Sequence, residues 1–175
     1  MKLKIALDLD DTIFDWRGEY SKIFGDITKQ PPYIITRNVK KLRYNKKFWS
    51  NLPLIEKPNF IPHIYSTKRI NSKDYTKSNL SLYDLPIKPI YQTISQSGNK
   101  VDIIKGVSNL LIDDSVFNVK QALNVGFPAL LIIREHNKNH DIKHYINSLS
   151  IKEIKEKYNC LIQEKYILDQ YKVVI

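Results

Sequence analysis

Three short apolar segments of this chain each end at polar side chains that are capable of chemistry. The segments are residues 2–7, 61–65 and 109–112, and they are followed by Asp8, Ser66 and Asp113. Segments of helical or loop character separate them, and strands that alternate with helices predict a parallel sheet. In an open parallel sheet, ligands bind beyond the carboxyl ends of the strands. We therefore expect an α/β fold in which these polar segments meet at one edge.

The other segments fit the same alternation. Residues 37–52 are predicted to form one helix, since their apolar side chains fall on one face and cations on the other. Ser115 is predicted to cap a helix at 116–125, which Gly126 ends. The remaining predictions are a loop with a short helix at 71–89, strands at 89–94 and 129–133, and helical turns at 101–107. We expect a three-layer, Rossmann-like domain with a central parallel sheet.

The domain organisation predicted for residues 1–175 is a single domain with two additions. A small helical cap is expected to be inserted at about 15–60. A helix and tail are expected at about 150–175, because Ser150 and Glu153 have the spacing of a capping box before residues 151–158. One cysteine, Cys160, cannot form an internal disulfide, which favours a reducing cytoplasm. The chain also has no apolar run long enough to cross a membrane.

The acidic segment Asp8-Leu9-Asp10-Asp11-Thr12 is the first candidate site. Two carboxylates one residue apart point to the same side of an extended chain, and a bend there brings a main-chain carbonyl beside them. Mg²⁺ prefers such oxygen ligands, and a carboxylate can accept a phosphoryl group as nucleophile. An acidic turn that only caps the next helix would have the same pattern, so this segment alone decides nothing.

The later polar segments add what a phosphate site needs. Asp113 and Asp114 form a second acidic pair, and carboxylates packed together indicate a bound cation or a raised pKa. Thr67 offers a hydroxyl beside two cations. Lys100 could bring an ammonium to the same phosphate, and Lys105 is the competing candidate.

In order and content, these segments resemble the four motifs of the haloacid dehalogenase-like phosphatases over roughly residues 1–135. The motifs are Asp8-Leu9-Asp10-Asp11-Thr12, Thr67 within Ser66-Thr67-Lys68-Arg69, Lys100, and Ile112-Asp113-Asp114-Ser115. Within that superfamily, residues 110–114 look most like the 5′(3′)-deoxyribonucleotidases and related small bacterial or phage proteins.

The resemblance implies a role for each matching residue. Asp8 would be the nucleophile and a ligand of Mg²⁺. Asp10 would exchange protons with the leaving alcohol and the attacking water, and its carbonyl would bind the metal. Thr67 and Lys100 would hold the phosphate. Asp114 would be the third metal ligand, supported by Asp113 through water, although which of the two binds the metal directly stays open.

The predicted function is hydrolysis of phosphomonoesters through an aspartyl-phosphate, with (deoxy)nucleoside monophosphates as the first substrate class. The chain has 28 Lys+Arg against 18 Asp+Glu, a net charge of +10 that suits an anionic partner. Six of these cations lie in the predicted cap with no acid among them: Arg37, Lys40, Lys41, Arg43, Lys46 and Lys47. They are either a solvated helix face or a nucleic-acid surface. A polynucleotide-end (3′-) phosphatase and a catalytically silent binding protein of this fold are therefore the alternatives.

Overall fold

The computed structural model describes residues 4–58, 60–69, 72–93, 98–132 and 134–138. Within these ranges the strands are β1 (Ile5–Asp8), β2 (Ile64–Thr67), β3 (Ile90–Gln92), β4 (Leu110–Asp113) and β5 (Ala129–Leu131). The helices are α1 (Trp16–Phe24), α2 (Pro32–Leu42), α3 (Lys46–Ser50), α4 (Lys73–Leu82), α5 (Lys100–Ile104) and α6 (Val116–Asn124), and a 3-10 turn spans Ile27–Lys29.

The five strands form one sheet in the order β3-β2-β1-β4-β5, and every neighbouring pair is parallel. The chain runs outward from β1 through β2 to β3 and then returns to the other side of β1 for β4 and β5. This reversal places a topological switch point at the carboxyl end of β1, where α/β sheets bind their ligands. The predicted α/β fold with a central parallel sheet is confirmed.

Alternating side chains divide the core between the two faces of the sheet. Leu7 and Ile112 belong to a cluster that includes buried residues of α1, α2, α3 and α4: Tyr20, Leu42, Phe48, Trp49 and Leu80. Ala6 and Leu111 belong to a second cluster with buried residues of α5 and α6: Val101, Ile104, Val119 and Ala122. Helices therefore cover both faces, which gives the three layers predicted.

The prediction of one helix over 37–52 is wrong. The chain instead forms α2 and α3, because the Asn45 side chain accepts a hydrogen bond from the Phe48 amide at 3.0 Å and starts a new helix. Trp49 Nε1 donates to the Leu42 carbonyl at 2.7 Å, which joins the two helices across the break. Both helices can thus bury apolar residues in the same cluster, which explains why the apolar pattern continues through the turn.

The helices predicted as a cap at 15–60 are present as α1, α2 and α3, and they share the core of the sheet. The predicted cap of the 116–125 helix is also found, since Ser115 Oγ accepts from the Asn118 amide and Gly126 follows with a φ of 69°. Cys160, the capping box of Ser150 and Glu153, and the helix and tail predicted at 150–175 lie outside the described residues. Among the described residues, no helix is long and apolar enough to cross a membrane.

Candidate active site

Three buried carboxylates meet at the carboxyl ends of β1 and β4. Asp8, Asp113 and Asp114 each place an oxygen so that the three atoms lie within 4.8 Å of one another. The sheet register explains this, because Leu7 pairs with Ile112 and the next residues along both strands are Asp8 and Asp113. The predicted site residues Asp8 and Asp114 are therefore close together, and Asp113 lies with them.

Lys100 is the cation of this cluster. It is the first residue of α5, it is almost fully buried, and its Nζ donates to Asp8 Oδ1 and, at 2.7 Å, to Asp113 Oδ2. Burial alone would lower the pKa of the ammonium, but Asp113 and Asp8 outweigh it and raise that pKa above its usual range. The competing candidate Lys105 is exposed and lies 3.8 Å from Asp102. The structure thus places Lys100, and not Lys105, in the site.

The charges of Asp8, Asp113, Asp114 and Lys100 do not balance when all three carboxyl groups are ionised, because three carboxylates share one ammonium, which pairs with Asp8 and Asp113. Burial raises the pKa of Asp8 well above its usual value, with Lys100 opposing this shift and Asp113 adding to it. Burial likewise raises the pKa of Asp113. The cluster therefore favours either a retained proton or an additional cation, and its donors are all oxygen atoms of the kind that hard divalent cations bind.

Thr12 and His136 contact carboxylates of the cluster. Thr12 Oγ1 lies 3.2 Å from Asp8 Oδ2 and 3.0 Å from Asp114 Oδ1, so its one proton can serve either carboxylate. His136 Nε2 lies 2.9 Å from Asp114 Oδ2. Burial would raise the pKa of Asp114, but the hydrogen bond and the electrostatic attraction of His136 outweigh it and lower that pKa.

Asp10 lies beside the cluster and is held by Arg69. The arginine Nη2 donates to Asp10 Oδ1 at 2.6 Å, and its Nε lies 2.8 and 3.1 Å from the two carboxylate oxygens. The Arg69 side chain has no solvent exposure, and its guanidinium is 5.5 and 5.2 Å from the ring centres of Phe14 and Trp49. Asp10 is thereby held by a buried arginine whose guanidinium lies close to two aromatic rings.

The hydroxyls of Thr67 and Ser66, at the end of β2, differ in their hydrogen-bond partners. Thr67 Oγ1 accepts from the Arg69 amide at 3.0 Å and lies 3.3 Å from Asp10 Oδ2, so its hydroxyl is already engaged. Ser66 pairs with Asp8 in the sheet register and is fully buried. In the part of the chain that the structure describes, its Oγ has no hydrogen-bond partner. The predicted phosphate-binding hydroxyl, Thr67, is therefore in the site, but Ser66 is the hydroxyl that remains available beside Asp8.

Residues 134–138 contact the loop that carries Asp11 and Thr12, and the sequence did not reveal this contact. Arg134 Nε donates to the Asp11 carbonyl at 3.1 Å, and its Nη2 donates to the Thr12 carbonyl at 2.6 Å. Asn137 Nδ2 donates to the carbonyls of Asp114 and Ile132 at 2.6 and 2.7 Å. The available signal was the polar run that follows β5, since a segment after a parallel strand begins at the same edge of the sheet.

Asp11 occupies a strained position between β1 and α1. Its φ is 61°, a left-handed conformation that aspartate tolerates better than most residues. Burial raises the pKa of its carboxyl to about 7, and the nearby Asp114 adds to the shift, while the Arg17 amide opposes it with a hydrogen bond of 2.9 Å. Asp11, Asp114 and His136 form a second group whose potential ligand atoms lie within 4.8 Å of one another.

No protein-family model matches this chain, and a search of curated proteins finds no significant match. The assignment of a function therefore depends on the chemistry of the site.

Proposed function

We propose that this protein is a magnesium-dependent phosphomonoester hydrolase that forms an aspartyl-phosphate on Asp8. The observation that supports this most is the buried cluster of Asp8, Asp113 and Asp114, in which Asp8 and Asp113 pair with Lys100. It combines a potential nucleophile, a phosphate-binding cation and an excess of carboxylate oxygens within a few ångströms. The motif resemblance to haloacid dehalogenase-like phosphatases gives the same assignment independently of the geometry.

The residues of the cluster fit a divalent cation. Asp8 and Asp114 would hold it, with the Asp10 carbonyl as the further ligand that the resemblance implies. Asp113, whose oxygens accept from Lys100, Ser115 and Asn118, would support it. A bound Mg²⁺ would offset the carboxylate charge and polarise the phosphoryl oxygens. This fit rests on the uncompensated negative charge and on the all-oxygen donor set.

The proposed reaction has two displacements at phosphorus. In the first, a carboxylate oxygen of Asp8 attacks, the bond between phosphorus and the ester oxygen breaks, and Asp10 gives its proton to the departing alkoxide. In the second, Asp10 takes a proton from water, the hydroxide attacks the aspartyl-phosphate, and inorganic phosphate leaves. Asp8 and Asp10 then return to their starting states, because the proton that Asp10 takes from water replaces the one that it gave to the alkoxide.

Arg69 would assist both displacements by fixing the direction of the Asp10 carboxylate. A proton donor must lie within hydrogen-bond reach of the leaving oxygen, so its position matters as much as its acidity. The aromatic contacts of Phe14 and Trp49 restrict the guanidinium, and the guanidinium restricts Asp10. Side-chain motion that would carry Asp10 away from the substrate is thereby reduced.

The substrate class that we propose first is the nucleoside monophosphates, on the strength of the motif resemblance. A phosphorylated polynucleotide end is the second candidate. It is favoured by the six cations of α2, α3 and the turn between them, a region with no acidic residue. Both classes present the same phosphomonoester to Asp8 and Lys100.

The activity is tested by incubating the purified protein with mononucleotides, phosphorylated oligonucleotides and sugar phosphates. We expect phosphate release in Mg²⁺ and a loss of about 100-fold or more in EDTA, because the metal supplies several kcal/mol of charge stabilisation in such reactions. Equal rates in Mg²⁺ and EDTA would contradict the metal requirement. No phosphate release from any substrate class would contradict the proposed function.

Ser66→Ala is expected to lower kcat roughly 100-fold, the effect of removing one hydrogen-bond donor to a developing oxyanion. Its melting temperature should stay near that of the wild type, since Ser66 Oγ has no partner among the described residues. Thr67→Val is the matched comparison, and it should lose stability because it breaks the contacts to Asp10 and Arg69. If Thr67→Val instead keeps its stability and loses turnover while Ser66→Ala is fully active, Thr67 is the phosphate donor.

A further inference from the structure

The helices inserted between β1 and β2 carry a concentrated positive surface. We define the basic surface as Arg37, Lys40, Lys41, Arg43, Lys46 and Lys47, which lie within eleven residues on α2, α3 and the turn between them. Five of the six are exposed and Arg43 is half-buried. No acidic residue occurs between Asp26 and Glu56. The helices α2 and α3 and the turn between them therefore carry over half of the net charge of the chain.

The cations of the basic surface are not neutralised within the described part of the protein. None of them takes part in the ion pairs formed there, whereas other exposed lysines, such as Lys77 and Lys105, lie near an aspartate. Arg37 and Lys41 are four residues apart on α2, a spacing at which like charges repel. Lys46 and Lys47 start α3, although the positive end of a helix disfavours cations. An anionic partner would relieve both kinds of repulsion.

Exposed aromatic rings accompany these charges. Tyr33 at the start of α2 and Tyr44 in the turn are 72% and 67% exposed. The guanidinium of Arg43 lies 5.4 Å from the centre of the Tyr44 ring. Cations that follow a phosphate backbone, interleaved with aromatic rings on which bases stack, are typical of surfaces that bind single-stranded nucleic acid.

The apolar residues of this region argue against a membrane surface as the partner. Within residues 32–50, all of which the structure describes, Tyr33 and Tyr44 are the only exposed large apolar side chains. Leu42, Phe48 and Trp49 are buried in the core instead. Helices that lie in a membrane interface need an exposed apolar face to insert, and this region has none.

We propose that the basic surface binds single-stranded nucleic acid, with its lysines and arginines on the backbone phosphates and with Tyr33 and Tyr44 stacking on bases. This binding site is separate from the carboxylate cluster and does not depend on the proposed hydrolysis. It borders the cluster through α3, because Trp49 contacts Arg69 and Arg69 binds Asp10.

The test uses a fluorescein-labelled oligothymidine of about 12 nucleotides, within the range that single binding modules cover. It carries no terminal phosphate, so it presents no phosphomonoester to Asp8. Affinity is measured by fluorescence anisotropy over a series of KCl concentrations. If four lysines neutralise four phosphates of the strand, they should steepen the decrease of log K with log salt concentration by about 3. Each neutralised phosphate contributes about 0.7 to this slope.

The variant K40Q/K41Q/K46Q/K47Q is expected to lose this contribution and to bind at least about tenfold more weakly. Its control is K73Q/K77Q/K105Q/K138Q, which removes the same charge from exposed lysines elsewhere and should keep most of the wild-type slope. Circular dichroism checks that both variants are folded. Tyr33→Ala and Tyr44→Ala should each weaken binding about tenfold at constant slope, because stacking does not release counterions.

Three results would overturn the proposal. The first is the absence of oligothymidine binding by the wild type at low salt. The second is an equal effect of the two quadruple variants, which would mean that net charge alone attracts the strand. The third is tighter binding to phosphatidylserine vesicles than to oligothymidine, lost in the first variant only, which would identify an anionic membrane as the partner. Since the probe is not a substrate, none of these results depends on whether Asp8 is catalytic.

Discussion

Asp8→Asn is expected to reduce phosphate release by at least about 10⁴-fold, because an amide cannot take up the phosphoryl group and the loss of a nucleophile removes the covalent route entirely. The replacement keeps the shape of the side chain. Lys100 also keeps Asp113 as an ion-pair partner, so the buried ammonium is not left without a counter-charge. The fold should therefore survive, and the far-ultraviolet spectrum and melting temperature measure whether it does.

The control for this replacement is Asp102→Asn, the same chemical change on an exposed residue of α5 whose nearest ion-pair partner is Lys105. It should leave turnover unchanged. Both proteins must come from the same purification so that contaminating phosphatases contribute equally. Wild-type turnover in Asp8→Asn, above that shared background, would eliminate the aspartyl-phosphate mechanism while leaving the metal site untested by this variant.

Lys100→Met is expected to lower the free energy of unfolding by about 3–5 kcal/mol, as removal of one partner from a buried ion pair usually does. Asp8 and Asp113 would then be left in the core without their cation. For a chain of this size the melting temperature should fall by roughly 10 °C. Lys105→Met, on the exposed surface at the end of the same helix, should change the stability by less than about 0.5 kcal/mol.

A second replacement distinguishes the loss of the ion pair from simple loss of packing. If repulsion between uncompensated carboxylates causes the instability, Lys100→Met/Asp113→Asn should be more stable than the sum of the two single effects predicts, by about 0.5–3 kcal/mol. Denaturation in urea measures each free energy. Strict additivity, or a Lys100→Met protein as stable as the wild type, would contradict the role given to this lysine.

Most of the sheet could be predicted because apolar strands stop sharply at polar residues. Three of the predicted strands lead directly to the site, and the order of Asp8, Thr67, Lys100 and Asp114 along the chain matches their convergence at one edge. The break between α2 and α3 was missed because the apolar period runs through it. A single capping side chain, Asn45, decides that boundary, and its tendency to cap is a local preference that periodicity does not report.

The partners of the site residues were harder to predict because they depend on contacts between distant segments. Arg69 was expected to be a cation near phosphate; it is buried close to the rings of Phe14 and Trp49 and holds Asp10. His136 reaches Asp114 from residues 134–138, and no local pattern marks it. The difference between Ser66 and Thr67 depends on which of two adjacent residues faces Asp8, and only the sheet register decides this.

Successive side chains of a strand, such as Ser66 and Thr67, face opposite sides of the sheet. This alternation also limits where residues can be inserted or deleted. Asp8, Ser66 and Asp113 lie at neighbouring positions of three parallel strands. Deleting one residue within such a strand would turn every later side chain to the opposite face. In β1, for example, the Asp8 carboxylate would then point into the apolar cluster that α1, α2, α3 and α4 cover. An apolar residue would take its place facing Lys100. Insertions and deletions should therefore be tolerated in the connections between helices, whereas the interiors of these strands should accept substitution more readily than any change in length.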